Sequence, residues 1–110
     1  MATTVTPGTG AGSGASATLL AGSDDGQGTV RIVGGIGGTP GGTLFSLGFN
    51  EPYDVEMSVS VFPANGEAAV AIASVIPATK SAVTGFDLVT TLIAATKAGA
   101  TYDYFYRVEP

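Results

Sequence analysis

Cysteine, histidine and tryptophan are all missing from this 110-residue chain. Without cysteine there can be no disulfide and no thiolate chemistry. Without cysteine and histidine the usual zinc and copper ligands are gone, and so are most nucleophile–base pairs. Charge is scarce too: charged residues make up 12 % of the chain, against about 25 % in an average globular protein. The surface must therefore be built largely from Ser, Thr, Gly and Ala. The four basic residues, Arg31, Lys80, Lys97 and Arg107, are scattered, and the net charge is −5. A phosphate backbone or an anionic membrane needs a clustered basic face, so neither nucleic acid nor membrane is an expected partner. No apolar run approaches the roughly 18 residues of a membrane-crossing helix. The N-terminus lacks a basic, then apolar, leader pattern, which predicts a protein used without secretion or released by lysis.

Glycine and short apolar runs are what the chain does have, with 17 glycines and 45 % hydrophobic residues. The length fits one domain with one modest core. Apart from Met1 and Val5, residues 1–16 are Thr, Gly, Ser and Ala with one proline. That composition predicts a flexible arm that orders only on a partner surface, followed by a folded domain over 17–110.

From Ala17 onward, period-two runs alternate with turn signals. "GTVRIVG" puts Val30 and Ile32 on one face, and "TLFSLGF" does the same for Phe45, Leu47 and Phe49. "EPYD" reads as a turn. "VEMSVSVF" alternates strictly, with Val55, Met57, Val59 and Val61 on one side. Asn65-Gly66 then signals a tight hairpin, which would place "AAVAIASVI" as a strand beside its predecessor. "TGFDLVTT" turns Phe86 and Leu88 inward. The closing run "TYDYFYRV" carries Tyr102, Tyr104, Tyr106 and Val108 on one face and Phe105 on the other. A tyrosine stripe at this spacing predicts core, and an outward Phe105 predicts a second buried interface. About seven strands at this rhythm predict an all-β, antiparallel β-sandwich.

The chemical motifs are weak. "GAGSGA", Gly10 to Ala15, matches a dinucleotide fingerprint in letters only, since no strand precedes it and no helix follows. It reads as a flexible linker. The insert "GGIGGTPGG", Gly34 to Gly42, lacks the lysine of a phosphate loop and reads as a wide inter-strand loop, or as one that packs backbone-close on a neighbouring protein. Asp24 and Asp25 could face calcium, but no EF-hand spacing supports them. The acidic group Glu51, Asp54 and Glu56 lies in a turn rather than across a cleft. The expectation is a non-enzymatic protein with no cofactor and no metal.

In order along the chain, "GTGAGSGASATLLAGSDDGQGTV", "GTLFSLGF", "VSVFPANGEAAV", "TGFDL" and "LIAATKAGATYDYFYRV" resemble a small β-sandwich domain of tailed-bacteriophage structural proteins. That domain occurs in head fibres, tail fibres and knobs, and alone as a capsid decoration (cement) protein. The resemblance runs from Gly8 to Val108 and implies a homotrimer on the outer capsid surface of the virion, bound to the major capsid protein and stabilising the shell. In fibres the module ends a longer chain, whereas here it nearly fills the chain.

Capsid contact is expected from the arm, at Ala2, Thr3, Thr4, Val5, Thr6, Pro7 and Gly8. The trimer interface is expected at Leu19, Leu20, Ile36 and Phe105. The alternative is a fibre or tail-tip module that binds a host-receptor glycan through Tyr53, Phe62 or Phe105.

Overall fold

The structure, a computed structural model, describes residues 3–39, 42–53, 58–65, 68, 72–77, 83–90 and 97–109. Eight strands are described: β1 (Thr4–Pro7), β2 (Ser16–Leu19), β3 (Gln27–Val33), β4 (Thr43–Tyr53), β5 (Ser58–Pro63), β6 (Ile72–Pro77), β7 (Val83–Thr90) and β8 (Thr101–Glu109). They form two four-stranded sheets, ordered β1-β4-β7-β6 and β2-β3-β8-β5. Every pairing is antiparallel. The all-β antiparallel sandwich that the alternation predicts is the fold observed.

The inner faces carry the residues that the period-two runs point inward. Val30, Ile32, Phe45, Leu47, Phe49, Phe86, Leu88, Tyr102, Tyr104, Tyr106 and Val108 are all buried. Leu44 is buried beside Phe45 because the β4–β7 register slips between Thr43 and Phe45, which lets neighbouring residues share one face. Four rings knit the sheets together. Phe45 meets Phe86 edge-on at 6.0 Å and Tyr104 at 5.9 Å, and Phe86 meets Tyr106 at 5.7 Å. Such pairs add about 0.5–1.5 kcal/mol each beyond the area they bury.

Four sequence expectations are corrected. The N-terminal segment is laid onto the sandwich as structure rather than extending as an arm. Val5 pairs opposite Leu47 and packs against the core, and Gly10 and Ala11 are buried in a short 3-10 turn, Thr9–Ala11. The β-branched run Thr4-Val5-Thr6 suits an edge strand, and the open edge of β4 supplies the hydrogen bonds.

The described part of the glycine insert, residues 34–39 and 42, and "GAGSGA" are likewise built in, against each other. Ser13 and Ile36 exchange backbone bonds at 2.8 and 2.9 Å, and Gly35 N–H donates to Ala11 O at 2.7 Å. A Cβ on Gly35 would sit 2.3 Å from Ser13 O, so the close approach needs glycine. The backbone-close contact expected with a neighbour is made inside the chain.

The third correction concerns β5 and β6. They do not form a hairpin: β5 lies in one sheet and β6 in the other, where it pairs with β7. A type I′ turn needs positive φ, and no described non-glycine residue has it. Asn65 instead accepts the Ala68 N–H on its side-chain oxygen at 2.9 Å, the geometry of a helix cap, and Ala68 is helical. Fourth, "EPYD" is strand as far as Tyr53, with Glu51 and Pro52 in the slipped part of the β4–β7 pairing. Val55 and Met57 lie outside the described residues.

Candidate functional site

A finished core leaves little apolar surface to explain. Three large hydrophobic residues stand out among those described: Ile36 at 75 % exposure, Phe62 at 58 % and Phe105 at 52 %. They mark two grooves that share no lining residue.

The first groove crosses the outer face of the β2-β3-β8-β5 sheet and holds about 390 Å³. Phe62 on β5 lies directly opposite Phe105 on β8, and Thr29 on β3 continues the row. The alternation of β8 dictates this: with the tyrosines inside, Phe105 and Arg107 face out. Gln27 and Arg107 form the next row. The opposite wall is the β2–β3 turn, Ala21, Gly22 and Ser23.

That wall is firmly held. Asp24 accepts the Gly26 and Gln27 N–H groups on one carboxylate oxygen at 2.9 and 3.0 Å, an Asx-type turn. Ser23 Oγ accepts the Thr29 N–H at 3.0 Å. The Tyr106 hydroxyl reaches out from the core and donates to the Asp24 carbonyl.

The second groove, about 530 Å³, is lined by Pro7, Gly8, Thr9, Gly12, Ser13, Ile36, Gly37 and Thr39. It therefore joins Pro7 and Gly8, expected to touch a capsid, with Ile36, expected at a subunit seam. The other expected residues scatter. Thr4 and Thr6 are exposed on β1, whereas Val5 packs against the core. Thr3 is tied to Asp25 by a 2.6 Å hydrogen bond. Leu19 packs against the core, Leu20 is half-buried, and Phe105 belongs to the first groove. Ala2 and the side chain of Tyr53 lie outside what is described.

The carboxylates are occupied structurally. Asp25 accepts Thr3 Oγ1, the Asn50 N–H at 2.7 Å and the Glu51 N–H at 3.1 Å. Burial pushes its pKa up, but these three hydrogen bonds outweigh burial and leave it below the usual value. Arg31 forms a two-pronged pair with Asp103, at 2.9 and 3.2 Å, across β3 and β8. Among the described residues no group of three or more Asp or Glu side chains could hold a metal. Asp54 and Glu56 lie outside the described residues. No described helix is long and apolar enough to cross a membrane.

Phe105 was legible from the alternation of β8, and Phe62 from that of β5. The wall at Ala21–Ser23 was not, because no periodicity says how a turn folds back over a sheet. No family model matches the chain, and no curated protein or solved structure matches it.

Proposed function

We propose that this sandwich is a structural module of a tailed-phage virion, acting as a capsid decoration protein. Three copies would sit on the outer capsid surface against the major capsid protein and stabilise the assembled shell. The observation that carries the reading is the groove at one end of the sandwich. There the most exposed large apolar side chain, Ile36, stands beside Pro7 and Gly8 of the N-terminal segment. Ile36 lines that groove with Pro7 and Gly8, so its side chain offers the groove's apolar contact to another protein. The order of motifs from Gly8 to Val108 supports the same reading, as does the absence of histidine and cysteine.

The mechanism is mass action on a lattice. A ligand that binds only the assembled shell stabilises it, and three linked weak contacts raise avidity by orders of magnitude. With residues 3–8 built onto the sandwich, the contact surface is a preformed groove lined by Pro7, Gly8 and Ile36, with Thr4 and Thr6 exposed on β1. It avoids the ordering entropy that a free arm would lose on binding.

Mass photometry followed by co-sedimentation with shells of the cognate major capsid protein tests the proposal. A trimer that pellets with shells, and an Ile36→Ser variant that stays in the supernatant, are the expected results. A monomer that never pellets overturns it. Fibre or tail-tip location is the second reading, favoured by the separate Phe62–Phe105 groove. A few copies per particle at the tail, rather than hundreds on the shell, would select it.

A further inference from the structure

We infer that the Phe62–Phe105 groove is a binding subsite for an acidic saccharide, one bearing a carboxylate on a pyranose ring. It rests on the fibre-tip reading, in which Phe62 or Phe105 meets a glycan, and adds the ligand's charge and the face that takes it.

The argument starts from the floor. Two phenyl side chains on adjacent strands, directly opposite in register and more than half exposed, present adjoining apolar surface. The C–H face of a pyranose is a flat apolar partner of similar size. Beside Ala21, Gly22 and Gly28, the lining includes three polar side chains, Gln27, Thr29 and Arg107; the Ser23 hydroxyl is taken up by the Thr29 backbone. Few polar groups converging beside an aromatic floor are the usual make-up of a small-ligand site, and amide, hydroxyl and guanidinium groups all hydrogen-bond sugar hydroxyls. A protein partner of ordinary interface size would need a broad apolar centre. Here the aromatic floor is two rings wide.

Arg107 sets the ligand's charge. Among the described residues it is the one charged residue lining this groove. Its guanidinium makes no close hydrogen bond among the described residues; the Nε lies 3.5 Å from the Glu109 carboxylate, with both side chains mostly exposed. Such an exposed pair contributes little and yields readily to a better acceptor. A planar fork is suited to a carboxylate taken two-pronged. The net charge of −5 does not forbid this, because exposed charges beyond about 10 Å are screened at ordinary salt.

The site is also pre-shaped. The Asp24 turn, the Ser23–Thr29 bond and the Tyr106 hydroxyl fix the wall opposite the rings before any ligand arrives. Preorganisation of this kind lowers the entropy lost on binding.

The test is a binding panel of immobilised oligosaccharides, neutral and uronate-containing, probed with the full-length protein, Phe105→Ala and Arg107→Gln. Both positions are exposed, so folding is checked simply by the unfolding midpoint. Uronate-containing members should bind, and Phe105→Ala should weaken them about tenfold or more. Arg107→Gln should bring them down to the level of the neutral members, a loss of about tenfold or more for a two-pronged charge-assisted pair. Binding to no member, equal binding to acidic and neutral members, or binding untouched by Phe105→Ala would overturn the inference. So would a Phe105→Ala protein that drops from oligomer to monomer by mass photometry, since the rings would then be covered by a second copy. Failure of the capsid experiment alone leaves these outcomes unchanged.

Discussion

Thr3 donates its hydroxyl to Asp25 at 2.6 Å, joining the start of the chain to the β2–β3 turn, and the same carboxylate takes the backbone N–H groups of Asn50 and Glu51 on β4. One side chain thus ties the N-terminal segment, a turn of one sheet and a strand of the other. Its pKa is lowered from the ordinary 3.8, since the hydrogen bonds outweigh burial. A carboxylate whose pKa is lower folded than unfolded stabilises the fold fully above the unfolded value. It loses that contribution as pH falls through the folded value. Urea midpoints measured from pH 2 to pH 6 should therefore fall below about pH 4. Asp25→Asn should lower the midpoint near pH 6 and flatten the acid limb. Identical pH curves for the two proteins would refute the clamp.

Because β1 is part of the sandwich, truncation should harm the fold itself. Removing residues 1–8 strips Val5 from the core and Thr3 from Asp25, and bares the edge of β4. Burying a valine stabilises by about 1.5–3 kcal/mol, and a hydrogen bond to a charged group adds about 1.5–3 kcal/mol, less at this half-exposed site. The truncated chain should lose more than about 2 kcal/mol in urea unfolding. Loss of hydrogen-exchange protection should concentrate in β4. An unchanged midpoint would restore the mobile-arm expectation.

The contrast with the sequence reading has a physical cause. A strand at a sheet edge that buries one side chain, Val5, leaves no more of an apolar pattern than a loose tail does. Tyr102, Tyr104 and Tyr106 were legible as core because a stripe of three rings on one face has nowhere else to go. Asn65 misled because Asn-Gly suits a tight hairpin, while its side chain serves equally as a cap, and only the packing of the other sheet decides between them. The sandwich itself was legible from alternation, but which strand joins which sheet is a long-range choice that no local run encodes. For the sites, Phe105 could be placed outward by counting. Its pairing with Phe62 required the register.

The Tyr104 hydroxyl is buried and finds no hydrogen-bond partner among the described residues. Burial pushes its phenol pKa up, with the neighbouring Tyr102 adding to the effect, so it stays neutral across the ordinary pH range. An unpartnered buried hydroxyl costs about 1–3 kcal/mol, whereas the ring itself packs against Phe45. Tyr104→Phe keeps the ring and removes the orphan. Its thermal midpoint should equal or exceed that of the parent, by up to about 1–3 kcal/mol in stability. Tyr106→Phe is the control: it breaks the bond to the Asp24 carbonyl and should destabilise by about 1 kcal/mol. Equal losses in the two variants would mean that Tyr104 has a partner after all.

Two glycines are required for opposite reasons, and substitution separates them. Gly85 on β7 faces Gly48 on β4, and a Cβ there would fall 1.9 Å from the Leu47 carbonyl oxygen. The obstacle is backbone, which cannot swing aside as a side chain can. Gly99, just before β8, has φ +77° but nothing within 4 Å of where its Cβ would go. Its requirement is conformational. Gly99→Ala should cost about 1–2 kcal/mol, the ordinary strain of a left-handed residue, and Gly99→Asn should recover part of it, since asparagine tolerates that region. Gly85→Ala should cost about 3 kcal/mol or more, beyond the common overpacking range, because strands β4 and β7 must part. Gly85→Asn should be no better than alanine, as any Cβ meets the same oxygen. Unfolding midpoints of the four variants decide the matter: rescue by asparagine at 99 and not at 85 is the expected pattern, and rescue at 85 would mean that the close β4–β7 approach is not what holds that position to glycine.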